Sequence, residues 1–227
     1  VTGVNDDIID GSINTTITLA VVDGSSDNNY DPLANQTVTA ATADNDSAGF
    51  TVTQSGGSTG VSESGSTDTF TVVLTAEPAS NVVISVTSGD TAEATVSASS
   101  LTFTTGNWDS AQTITVTGVN DDIIDGSQDT TITMAVVDGS SDNNFDPLAN
   151  QTVTAATADN DSAGFTVTQS GGTTAVSESG STDTFTVVLT AEPASNVVIS
   201  VTSGDTAEAT VSASSLTFTT GNWDSAQ

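Results

Sequence analysis

The chain has 227 residues and contains no Lys, Arg, His or Cys against 29 Asp plus Glu, for a formal net charge of −29. That inventory excludes Ser-His-Asp and Cys-His catalysis, and it excludes the nitrogen and sulfur ligand sets of zinc, copper and iron. It also excludes a phosphate clamp, a basic footprint for nucleic acid and attraction to an anionic membrane surface. What remains in quantity is oxygen, the ligand of hard cations, with calcium first among them.

The chain opens on Val1-Thr2-Gly3-Val4-Asn5-Asp6-Asp7-Ile8-Ile9-Asp10-Gly11-Ser12, a string that starts again at Val116, so the period is 115 residues. Residues 1–112 match 116–227 except at six pairs: Ile13/Gln128, Asn14/Asp129, Leu19/Met134, Tyr30/Phe145, Ser58/Thr173 and Gly60/Ala175. Near-identity over a whole-domain length indicates recent duplication into a tandem array of domains, not a solenoid of short units. No apolar run approaches a membrane span and Val1 does not begin a signal peptide. Because the chain opens inside a repeat, it is expected to be a window on a longer array. The other arrangement is that partial repeats complete one another between subunits.

The acidic string Asp44-Asn45-Asp46 closes the opening piece, and the next repeat then shows alternating rows. Phe50 with Val52 predicts its first strand. Phe70, Val72 and Leu74 alternate with Thr69, Thr71 and Val73, and Val82, Ile84 and Val86 form the following row. Leu101 with Phe103, Ile114 with Val116, Ile132 with Met134 and Val136, and Val153 with Ala155 complete the set. Apolar residues alternating with Thr or Ser are the pattern of half-buried strands. Ala76-Glu77-Pro78, Ser88-Gly89-Asp90, Thr105-Gly106-Asn107 and Asp138-Gly139-Ser140 predict turns between them. About seven strands and no amphipathic helix predict an all-β, immunoglobulin-like sandwich. A second string, Asp159-Asn160-Asp161, closes the repeat. The expected domains are the C-terminal part of one repeat over 1–43, a complete repeat over 44–158 and the N-terminal part of the next over 159–227.

Asp121 and Asp122 end one predicted strand, Asp159 and Asp161 end another, and Glu63 precedes a third, so a sandwich can gather them at one pole. Two carboxylates about 4 Å apart repel by roughly 1 kcal/mol in water and roughly 4 kcal/mol at an effective dielectric of 20. Four or five such groups without a basic partner require a cation. Taken singly, each Asp is equally a turn former or a strand-end cap, and acidity as such also serves solubility. The loop from Asp138 to Asp146 is either a further ion loop or a polar hairpin anchored by Phe145. Asp90 and Glu93 are expected to be solvated, and Trp108 to pack.

Three elements occur in order over the period: Val61-Ser62-Glu63-Ser64-Gly65 before an alternating strand, Val119-Asn120-Asp121-Asp122 followed by Asp125-Gly126, and the closing Asp-Asn-Asp. In these the chain resembles bacterial tandem Calx-beta repeats, relatives of the calcium-sensing domains of sodium/calcium exchangers. The resemblance implies Ca2+ at one end of the sandwich, with Glu63, Asp121, Asp122, Asp125, Asp159 and Asp161 as candidate ligands. The period carries the same roles to Asp6, Asp7, Asp10, Asp44 and Asp46 in the opening piece and to Glu178 in the closing one. The implied function is a calcium-rigidified structural segment of an extracellular or cell-surface stalk, adhesin or filament, and not an enzyme. A glycan- or surface-binding adhesion module and a calcium sensor are the alternatives. Expected partners are neighbouring repeats of the same chain or like subunits in a fibre, and a cell-surface or glycan ligand met through other parts. Neither nucleic acid nor direct membrane insertion is expected.

Overall fold

Strands form where the alternation is, because a period of two lets every apolar residue of a row face the same way. The computed structural model describes residues 1–227. Within the complete repeat the strands are β3 (Phe50–Gln54), β4 (Thr59–Ser62), β5 (Thr67–Leu74), β6 (Val82–Ser88), β7 (Ala94–Val96), β8 (Ser100–Phe103), β9 (Gln112–Gly118), β10 (Gln128–Val136) and β11 (Gln151–Ala158). They make two sheets, one ordered β3-β5-β9-β7 and the other β4-β11-β10-β6-β8. β4 lies parallel to β11, and the other pairings are antiparallel. The protein is an all-β, immunoglobulin-like sandwich.

Between the sheets lies one core. Phe70, Val72, Leu74, Ile114 and Val116 come from the four-stranded sheet, and Val82, Ile84, Val86, Phe103, Ile132 and Met134 from the five-stranded one. Each such side chain contributes about 1.5–3 kcal/mol by leaving water. Phe145, wholly buried, pins the loop after β10 to the same core, and Trp108 packs at its margin. β4 and β7 add two strands to the seven legible as alternating rows. They are only four and three residues long, too short to display a period.

The flanking residues keep the registers of their counterparts. β1 (Ile13–Leu19) pairs with β2 (Gln36–Thr42) as β10 does with β11, so Ile17 opposite Val38 repeats Ile132 opposite Val153. β12 (Phe165–Gln169) pairs with β13 (Phe185–Leu189), and β14 (Val197–Ser200) with β15 (Ser215–Phe218). Residues 174–177 and 209–211 are the counterparts of β4 and β7, differing only at Gly60/Ala175, but are not strands. Phe165 is 56% accessible where its counterpart Phe50 is 5%. No helix is long and apolar enough to cross a membrane.

Candidate metal centre

The parallel pairing of β4 with β11 sets Ser62 beside Ala158, so the residues that follow each strand emerge together. Those residues are Glu63 and Asp159-Asn160-Asp161. The Glu63 N–H donates to the Ala158 carbonyl at 3.1 Å, and the Asn160 N–H donates to Glu63 Oε2 at 3.0 Å. Glu63, at 2% exposure, is therefore fastened at both backbone and side chain.

The third strand to arrive is β9, through a glycine. A Cβ at Gly118 would stand 2.2 Å from the Ser62 carbonyl oxygen, so only glycine lets the end of β9 pass this close to the end of β4. Gly118 also donates its N–H to the Ser66 carbonyl at 3.1 Å, and Asn160 Nδ2 donates to Asn120 Oδ1 at 2.9 Å. Asp121 follows directly. Its Oδ1 accepts the Ile123 N–H at 2.8 Å, which tightens the loop after it.

The outcome is a cluster: carboxyl oxygens of Glu63, Asp121 and Asp161 lie within 4.8 Å of one another. No other trio of carboxylates converges this closely. Asp161 Oδ2 is buried with no hydrogen-bond partner. The Asn160 N–H lowers the Glu63 pKa, but burial and the charges of Asp121, Asp159 and Asp161 outweigh it and hold the carboxyl above the ordinary glutamate value. Burial first, then the charges of Asp122, Asp159 and Asp121, raises the Asp161 pKa. The arrangement is all oxygen, acidic and without a basic partner, which is the donor chemistry of a hard divalent cation.

The other candidate residues fall around this trio in distinct roles. Asp159 is a latch: its Oδ1 accepts the Asp161 N–H at 2.6 Å and its Oδ2 the Gly126 N–H at 2.8 Å. Those donors hold its pKa below the usual aspartate value. Asp122 and Asp125 are exposed at the rim; Asp122 adds charge near Asp161, and Asp125 adds charge near Glu93. In the opening repeat Asp44 repeats the latch, accepting the Gly11 and Asp46 N–H groups at 2.8 Å each. Burial, then the charges of Asp44, Asp7, Asp6 and Asp10, raises the Asp46 pKa. Glu178 is exposed and meets no other carboxylate.

Glu93 was expected to be solvated and is instead half-buried beside the cluster. Its Oε2 is buried without a partner, and its carbonyl accepts the Val119 N–H at 2.9 Å. Burial, then Asp125, Asp121, Asp90 and Glu63, raises its pKa. Nothing local in the sequence marks it, since it reaches the pole only through the pairing of β7 with β9. Gly118 did carry a signal: a glycine ending an alternating row marks a close backbone approach. The second acidic loop is organised by Asp142, 6% exposed, which accepts the N–H groups of Ala79, Ser80 and Asn144 at 2.7, 3.0 and 2.9 Å. That carboxylate braces a turn of its own sandwich. Beside it, burial and then the charges of Asp138 and Asp142 raise the Asp146 pKa.

No family model matches the chain, and no curated protein matches it. Among solved structures, the apo-form Calx CBD1 domain aligns at 15% identity and TM-score 0.37, over 49% of this chain and 98% of that one. Surface layer protein SbsC, domains 1–6, aligns at 20% identity and TM-score 0.34, over 72% of this chain and 20% of that one. SSP-19, an MSP-domain-like protein of Caenorhabditis elegans, aligns at 14% and TM-score 0.32, over 47% and 97%.

Proposed function

We propose that this chain is a structural, calcium-stabilised segment of an extracellular or cell-surface stalk, adhesin or filament, without catalytic activity. The observation that carries the reading is the convergence of Glu63, Asp121 and Asp161 at the pole where the acidic linker leaves the sandwich, with Asp161 Oδ2 buried and unpartnered. A cation offsets the mutual repulsion of these groups and supplies the missing partner. Glu63, Asp121 and Asp161 would hold it, with Asp122 and Asp125 adding charge at the rim. An ion at about 100 times its dissociation constant stabilises the form that binds it by about 2.7 kcal/mol. Near-identical repeats then serve reach rather than chemistry, and the sequence resemblance to Calx-beta repeats points the same way.

Thermal melting in chelator and in millimolar calcium or magnesium tests this. The midpoint is expected to rise with calcium and much less with magnesium, which dehydrates reluctantly and demands a stricter octahedral site. Equal midpoints in all three conditions would overturn the calcium reading and leave the acidity as a solubilising property.

A second reading, a ligand-binding face, is favoured by one arrangement. Thr53, Thr71 and Thr113 stand side by side across β3, β5 and β9, and Thr67, Thr117 and Thr95 across β5, β9 and β7. This uncharged grid suits a glycan or another ordered hydroxyl surface. Retention of the chain on immobilised polysaccharides, abolished by Thr71→Glu and Thr117→Glu together, would establish it; passage without retention would remove it.

A further inference from the structure

The loop that carries the paired aspartates has a second side. In the opening repeat the Asp7 carbonyl accepts the Glu77 N–H at 2.7 Å, and Ile8 forms a parallel bridge with Glu77. One period later the Asp122 carbonyl accepts the Glu192 N–H at 2.7 Å, and Ile123 bridges Glu192 in the same way. The donor in each case belongs to the following repeat, in the Ala-Glu-Pro turn after its second long strand. Two junctions with different surroundings thus make one contact. Next to it, Ile9 packs against the core of the sandwich formed by residues 50–158. Ile124, the counterpart of Ile9, faces a sandwich with fewer strands and remains 44% exposed.

The receiving turn is braced from its own side. Asp142 accepts the N–H groups of Ala79 and Ser80, directly after Glu77-Pro78, so the turn presents its Glu77 N–H from a fixed position. Pro78 is itself buried and lacks an N–H, which leaves Glu77 as the outward donor. A rigid turn with one outward N–H, next to an apolar margin that accepts an isoleucine, is a socket. The Asp-Asp-Ile-Ile loop is its plug.

From these contacts we infer that each repeat docks directly on the next through this plug and socket, independently of any ion, so that neighbouring sandwiches are stabilised as coupled pairs. The partner is a further copy of the same repeat. The interface is head-to-tail, with different surfaces on its two sides, so the same contact can recur from each repeat to the next. Stability of the array is then a sum of repeat and nearest-neighbour contributions, the latter residing in Ile8, Ile9 and the Asp7–Glu77 hydrogen bond.

The test uses the full chain with Trp223→Phe as background, so that Trp108 alone reports the unfolding of the 50–158 sandwich. Ile9→Ala, which alters only the plug, and Glu77→Pro, which deletes the socket donor, are melted in chelator and in calcium, with exposed Asn14→Ala as the control. Ile9→Ala is expected to lower the Trp108 midpoint by about 4 °C or more in chelator and by a similar amount in calcium, with the control unchanged. Glu77→Pro is expected to lower it as well. Should that variant fail to fold, Ile9→Ala decides. An unchanged midpoint for Ile9→Ala in chelator overturns the inference, and so does a fall seen only with calcium, since the contact would then be a consequence of the ion. A chain indifferent to calcium altogether would remove the ion reading while leaving this test intact.

Discussion

Gly118 passes so close to Ser62 that a Cβ placed on it would lie 2.2 Å from the Ser62 carbonyl oxygen. The contact sits between the strand ends that deliver Asp121 and Glu63, so the spacing of these two carboxylates depends on a residue with no side chain. Gly118→Ala is expected to force β9 away from β4, with an overpacking cost of about 1–3 kcal/mol. Denaturant titration measures the cost, and calcium titration of the same variant is expected to show weakened binding although every carboxylate is intact. Unaltered stability would show that the strand ends can separate freely.

Glu63→Gln separates the two roles of the cluster. In chelator, removal of a buried charge that faces Asp121, Asp159 and Asp161 is expected to hold or raise the melting midpoint. In calcium the order reverses, because one ligand charge is lost and affinity falls about tenfold or more. A variant destabilised equally in both conditions would mean that the Asn160 contact of Glu63, rather than the ion, is what matters.

The pH dependence of the ion-free chain follows from two groups of acids. Glu63, Glu93, Asp161 and Asp46 have raised pKa values, so the folded form holds their protons more tightly than the unfolded form. Their stabilisation is complete below the unfolded carboxylate range and is lost as pH rises through their folded values. Asp44, Asp159, Asp68 and Asp183 are lowered, chiefly by hydrogen bonds, and their stabilisation is lost as pH falls through their folded values. Stability in chelator is therefore expected to peak near the ordinary carboxylate range, at about pH 4. Calcium is expected to remove the decline on the alkaline side by replacing protons at Glu63 and Asp161. Denaturation midpoints at stepped pH, with and without calcium, measure both arms; a flat profile in chelator would contradict the crowding of these acids.

Asp142→Ala removes the acceptor of the Ala79 and Ser80 N–H groups, which lie at the exposed end of the turn, and is expected to cost about 0.5–1.5 kcal/mol for each hydrogen bond exchanged for water. Because Asp142 takes no part in the Glu63 cluster, calcium affinity should be preserved once the fold is held by osmolyte. Loss of one calcium equivalent per sandwich would instead assign an ion to the Asp138–Asp146 loop.

The sequence by itself determined the repeat, the strand rows and the exclusion of most chemistry. Near-identity at a fixed offset and alternation with period two are local properties that need no knowledge of pairing. Missing residue types are equally plain, so an oxygen-only chain was evident from composition. The inward rows Phe70-Val72-Leu74 and Ile132-Met134 face the core as that alternation requires.

Which acids meet was decided only in three dimensions. Glu63, Asp121 and Asp161 are far apart in the chain and come together because β4 runs parallel to β11 and because Gly118 lets β9 approach, neither of which alternation encodes. Six acids that the sequence offers as candidates in the complete repeat divide into a converging trio, a backbone latch at Asp159 and exposed rim charges at Asp122 and Asp125. Glu93 enters the neighbourhood through a three-residue strand too short to recognise. The plug and socket were invisible for the same reason: the Asp7–Glu77 bond joins main-chain atoms, and a backbone donor is the same in every sequence until folding places it.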